Sequence, residues 1–181
     1  MKILHITPHL NGGLGAVLQK QFECQKSEHY VYLFEKKSED YPDVLSNYGN
    51  RLLDYTRFSF PEIISEFKII QIEYWNHPRI YELILSGLLD DAACLIGCAH
   101  VQGDQPPNLI SKNVINYFDR TLCTGTWLCS TVSDKKLLDK ITFLRYPIDT
   151  DKFSPRSPNQ RRLKRSKLQA CYVGTVSLSK M

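Results

Sequence analysis

The run ACLIGCA, residues 93–99, is apolar at every position. A strand with one face in water alternates apolar and polar residues. A strand apolar on both faces belongs in the middle of a parallel sheet, covered by helices on each side. Further short apolar runs recur at Ile3–Thr7, Tyr30–Phe34, Lys68–Glu73, Arg120–Thr124 and Ile141–Tyr146. Between most of them lie helix-length stretches, Gly15–Lys26, Pro61–Phe67, Pro78–Leu89 and Asn108–Phe118. In HPRIYELILSGLL the residues Ile80, Leu83, Ile84 and Leu88 follow helical spacing, and Pro78 suits a first turn. Strand then helix, repeated, predicts an α/β fold: a Rossmann-like parallel sheet with helices on both faces. Residues 37–60 show no clear period and read as helix and loop.

At 181 residues and 43% hydrophobic, the chain has enough apolar surface for one well-buried domain and the beginning of another. The texture changes after Phe153, where SPRSPNQRRLKRSK is polar, basic and carries two prolines. The expected organisation is a Rossmann-like domain over residues 1–155, a basic linker over 156–167 and, over 168–181, the start of a second domain opening on the strand-like LQACYVGTV. Six of the 23 basic residues fall between Arg156 and Lys167. Without them, 17 basic residues face 19 acidic ones, so the body carries a net charge of −2. The body is therefore not basic, and no nucleic-acid surface is indicated. The basic run reads first as a solvated linker, and second as a peripheral contact with anionic lipid at the inner face of a membrane.

No apolar run approaches the length of a membrane span, and a strand rather than a secretory leader stands at the N-terminus. The six cysteines lie mostly inside apolar stretches, which suits reduced thiols in a cytoplasmic protein. Cys94 and Cys98 form no metal-ligand pattern with a second pair, and they read as buried thiols.

The first strand runs into HITPHLNGGLGAVLQ, where Gly12 and Gly13 precede a helical stretch. Backbone amides of a glycine loop and a helix N-terminus bind phosphate, because no side chain blocks the approach and the dipole favours negative charge. Positive φ at Asn11, Gly12 or Gly13 would expose those amides. The dinucleotide pattern GxGxxG fails, since its third glycine would fall on Leu18, and no GK[ST] follows for a P-loop. A plain tight turn is the competing reading of the two glycines.

Several segments, in order, resemble glycosyltransferase family 4, the retaining enzymes of GT-B architecture. HITPHLNGG resembles the opening strand and its Gly-Gly loop, and IIQIEYWNHPRIYELIL a middle strand with its helix. CLIGCAHVQGDQPP is similar to the strand that ends in a functional histidine, FLRYPIDTDKFSP to the end of the N-terminal domain, and YVGTVSLSK to the opening of the donor-binding domain. Thr175 departs from the family's frequent arginine, and Met181 from a glycine that commonly follows the lysine.

The resemblance implies the N-terminal, acceptor-side half of a GT-B enzyme that moves a sugar from a nucleotide-sugar donor to a glycan, lipid or small-molecule acceptor with retention. It implies no metal and no cofactor beyond the nucleotide sugar. Gly12, Gly13 and Lys180 would then hold the donor diphosphate, and His100 would stand at the reaction centre. Glu73 and His77, just past another strand, would bind the acceptor. An exposed interdomain face would favour self-association. The rival reading is a complete, non-catalytic α/β module that binds an anionic metabolite or a protein. His5, alternating with Ile3 and Thr7, reads as a satisfied core histidine. His9 reads equally as a ligand contact or a bystander, and Trp75 as a cover for the sheet end. Cys98 and His100 point to one face of a strand, but no nucleophile motif accompanies them.

Overall fold

The computed structural model describes residues 1–10, 13–24, 26–34, 48–54, 59–106 and 108–146. The chain divides into two units at residue 147, and every described residue belongs to the first. The expected linker and second domain, Lys180 included, lie outside the described residues.

Among the described residues seven strands form one all-parallel sheet: β1 (Lys2–Thr7), β2 (Glu28–Leu33), β3 (Leu52–Asp54), β4 (Ile69–Tyr74), β5 (Cys94–Ala99), β6 (Arg120–Cys123) and β7 (Ile141–Phe143). Their order is β3-β2-β1-β4-β5-β6-β7. The chain therefore winds outward in one direction from β1 and then restarts at β4 in the other. The switch point lies between β1 and β4, where a sheet of this kind opens a crevice at its carboxyl edge. This is the Rossmann-like α/β architecture that the apolar runs predict.

The register explains the composition of the central strands. Along β4 every residue after Ile69 is buried, as expected with both faces covered. On one face α1 (Gly13–Cys24) covers β1 and β2, burying Leu18 with Val31 and Leu33. On the other face Leu4, Ile6, Ile70 and Ile72 meet α2 (Phe60–Ser65), α3 (Pro78–Leu85) and α4 (Lys112–Tyr117) through Ile63, Ile80, Leu83 and Ile115. Gly97 of β5 lies against the Phe118 ring: a Cβ there would stand 2.4 Å from Phe118 Cδ2. The glycine inside the apolar run is thus a close approach rather than a turn.

Several elements differ from what the sequence pattern predicts. The α3 helix stops at Leu85, because Ser86 Oγ accepts from Leu88 N and Gly87 takes φ 71°, so Leu88 leaves the apolar stripe and is exposed. The α4 helix starts at Lys112 rather than Asn108, capped by Ser111 Oγ on Val114 N. Residues 37–60 contain the strand β3, too short to show a period and preceded by Gly49 at φ 51°. After β6, α5 (Trp127–Thr131) and α6 (Lys135–Leu138) are single-turn helices with the same handicap. Among the described residues no helix is long and apolar enough to cross a membrane.

Candidate functional site

The α1-facing side of β1 carries His5, and several side chains near it on that side are polar as well. His5 pairs in register with Gln71, His29 with Ile3, and Glu73 with Cys98. Each of His29, His5, Glu73 and His100 therefore sits two residues further toward the carboxyl edge than the one before, on the next strand over. Side chains repeat by face every two residues, so this diagonal keeps all four on one face of the sheet.

The contacts follow the diagonal. His29 Nδ1 lies 2.8 Å from His5 Nε2, and His5 Nδ1 lies 2.6 Å from Glu73 Oε1. Gln71 Nε2 donates to the same Oε1 at 2.8 Å. On the other oxygen, His100 Nε2 stands 2.5 Å from Glu73 Oε2, and the Tyr146 hydroxyl closes the series on His100 Nδ1. The Tyr146 ring stacks on the imidazole at 14°. Phe22 of α1 roofs the inner end, with ring centroids 5.4 Å from His5 and 5.0 Å from His29.

With the rings neutral, these contacts fix the tautomers. His29 donates to His5, His5 donates to Glu73, Tyr146 donates to His100, and His100 donates to Glu73. Two hydrogen-bonded arms thus converge on one carboxylate. Glu73 is 0% exposed. Burial alone would push its carboxyl upward, but the hydrogen bonds from His100 and His5, together with the coulombic attraction of both imidazoles, outweigh that and bring it down to about 2. Such a charge survives burial only when paired and hydrogen-bonded, and here His5, Gln71 and His100 all donate to it.

The inner end is less complete. Among the described residues the buried His29 Nε2 has no hydrogen-bond partner, and desolvation, assisted by His5 and Arg51, lowers this imidazole to about 4. At the outer end, burial, followed by Cys98 and Glu73, holds the Tyr146 phenol well above its usual range, so it acts as a donor. Burial and then Glu73 likewise hold the Cys98 thiol well above the ordinary range, which removes it as a nucleophile at neutral pH. Cys94, Cys98, Cys123 and Cys129 are free thiols. Glu73, Cys98 and His100 bring one ligand atom each within 4.8 Å of one another, a donor set that suits zinc. A cation there would have to displace the Cys98 proton and the one between Glu73 and His100.

The other expected site residues fall around this core. Gly13 opens α1 next to the carboxyl edge of β1; its φ is not positive, and among the described residues a Cβ on it would meet nothing within 4 Å. The left-handed conformation suggested for the loop is therefore not at Gly13, and Asn11 and Gly12 lie outside the described residues. His77 caps α3, its Nδ1 accepting from Arg79 N at 3.3 Å. Trp75 stands between the His9 and His77 rings, with centroids 4.7 and 5.0 Å away. Gly103, at φ 83°, turns the loop after His100 under Ile110.

The structure thus brings together Glu73 and His100, which the sequence assigns to different tasks, and adds Tyr146, which the apolar run Ile141–Tyr146 predicts inside a strand. The strand β7 ends at Phe143, freeing Tyr146 from the ladder. One signal for the pairing was available: Glu73 is the only charge in the otherwise uncharged strand IIQIEY, and a lone carboxylate in a central parallel strand needs a partner.

The fold and site define a Rossmann-like α/β domain with a buried carboxylate–histidine pair at the carboxyl edge of its sheet, beside the switch point. Comparison with protein-family models, with curated proteins and with solved structures finds no match for this chain.

Proposed function

We propose that this chain carries the acceptor-side domain of a retaining, nucleotide-sugar-dependent glycosyltransferase. The observation that carries the reading is the placement of His100: it follows β5 at the carboxyl edge, with its Nε2 on the buried Glu73 carboxylate, two strands from the β1 edge where Gly13 opens α1. Ligands of doubly wound sheets bind at this edge, beside the switch point. Neither positive φ nor packing among the described residues requires a glycine at position 13. Close approach by a diphosphate to the helix N-terminus supplies a reason.

In this reading Gly12, Gly13 and Lys180 stabilise the leaving diphosphate, and the acceptor lies against the His100 side of the crevice, near Glu73 and His77. The chemistry asks for stabilisation of the leaving group's charge and for orientation of the acceptor against the anomeric carbon. His100, held by Glu73, offers a hydrogen bond at that centre. The domain is read as cytoplasmic, with the basic segment 156–167 first as a solvated linker and second as a contact with anionic lipid.

The test is ligand-observed NMR on the full chain with a panel of uridine and guanosine diphosphate hexoses. Saturation transfer from the protein to one sugar nucleotide, lost in Gly13→Asp and reduced in His100→Ala, is the expected result. If no sugar nucleotide binds, or binding ignores both substitutions, the reading is wrong.

A further inference from the structure

Both nitrogens of His100 are occupied, and by groups of opposite character. Nε2 faces a carboxylate that no water reaches, since Glu73 is 0% exposed. Nδ1 faces the hydroxyl of Tyr146, on a half-buried residue at the outer end of the series. A buried anion accepts hydrogen bonds only, so the proton of the neutral ring is on Nε2, and Nδ1 is left as an acceptor aimed outward. Glu73 is itself held from behind by His5 and Gln71, which prevents its Oε2 from turning away. The Tyr146 phenol keeps its proton and is a donor, so its contact with Nδ1 imitates an alcohol.

We propose that Glu73 is a positioning residue that fixes His100 as the Nε2–H tautomer, and that the Tyr146 hydroxyl occupies the place on Nδ1 that a hydroxyl group of the bound sugar takes. The ligand feature assigned is therefore a hydroxyl donor, and His100 Nδ1 meets it as an acceptor. Tyr146 competes for the same nitrogen and has to leave it for sugar to engage. This inference rests on the glycosyltransferase reading for the identity of the ligand, while the tautomer stands on geometry alone.

The experiment is long-range 1H–15N NMR of the histidine rings at neutral pH in the full chain, with Glu73→Gln and Tyr146→Phe as variants. In the native chain His100 shows a protonated Nε2 and an unprotonated Nδ1. In Glu73→Gln, whose amide both donates and accepts, the two nitrogen shifts move toward each other as the ring samples both tautomers. In Tyr146→Phe the Nε2–H pattern persists, and only the Nδ1 shift moves as its donor is lost. A native ring protonated on Nδ1, or a tautomer that switches in Tyr146→Phe, overturns the role of Glu73 even if Glu73→Gln fails to fold.

Titration with the same uridine and guanosine diphosphate hexoses tests the second half. Removing the competing hydroxyl tightens sugar-nucleotide binding in Tyr146→Phe by roughly 2- to 10-fold, the equivalent of one net hydrogen bond. Weaker or unchanged binding in Tyr146→Phe overturns the stand-in role. Absence of binding in every form sinks the glycosyltransferase reading and the stand-in role with it, and leaves the tautomer measurement to decide the role of Glu73.

Discussion

Acidification should expose the weak end of the buried series well before the carboxylates of the protein titrate. His29 is 1% exposed, and its imidazole is lowered from 6.5 to about 4. The folded state therefore refuses a proton that the unfolded chain accepts. The stability tied to this group is fully present above pH 6.5 and is lost as pH falls toward 4. One proton of difference gives a slope of about 1.4 kcal/mol per pH unit, hence a loss of about 2 kcal/mol between pH 7 and pH 5. Glu73 adds to the loss only lower down, because its contribution is present above the ordinary carboxyl value of 4.5 and fades toward about 2. Urea unfolding followed by circular dichroism at half-unit pH steps measures the slope. In His29→Asn, where the side-chain amide takes the place of Nδ1 as donor to His5, the neutral-pH stability drops but the slope between pH 6.5 and 5 flattens. A native chain equally stable at pH 7 and pH 5, or an unaltered slope in His29→Asn, would refute the assignment of a neutral, desolvated imidazole.

Two further outcomes follow from distances and burial. Gly97→Ala places a methyl group 2.4 Å from Phe118 Cδ2 and 2.5 Å from Cε2, so the buried ring has to shift by about 1 Å to reach ordinary contact. Overpacking of this kind costs about 1–3 kcal/mol, and thermal unfolding of Gly97→Ala should be lowered accordingly and partly restored by adding Phe118→Leu. Cys98, 1% exposed with its thiol raised well above the usual range, should resist iodoacetamide at pH 8 in the folded protein and react on unfolding, as mass spectrometry of the alkylated peptides would show.

The chain's own pattern determines the layers. ACLIGCA reads as a strand covered on both sides, and the spacing of Ile80, Leu83 and Ile84 puts α3 on the sheet; both depend only on which local face is apolar. Element ends were legible where a side chain enforces them, as with Pro78 at the start of α3, and illegible where a short polar contact does so, as with Ser111 and Ser86. The strand β3 and the helices α5 and α6 escaped because three to five residues hold too little of either period to be distinguished from loop.

The site divides in the same way. His100 could be placed at the edge of the sheet from sequence alone, because it directly follows a run that has to be a strand. Its partners could not. His29, His5, Glu73 and Tyr146 come from four different segments, and a single-residue slip in the register of β1 against β4 would turn His5 to the opposite face from Glu73. Residue pattern fixes which face is buried; only the pairing of strands decides which buried polar groups meet. Here that pairing converts a core histidine, an isolated glutamate and a residue expected inside β7 into one hydrogen-bonded series that ends at the edge of the sheet.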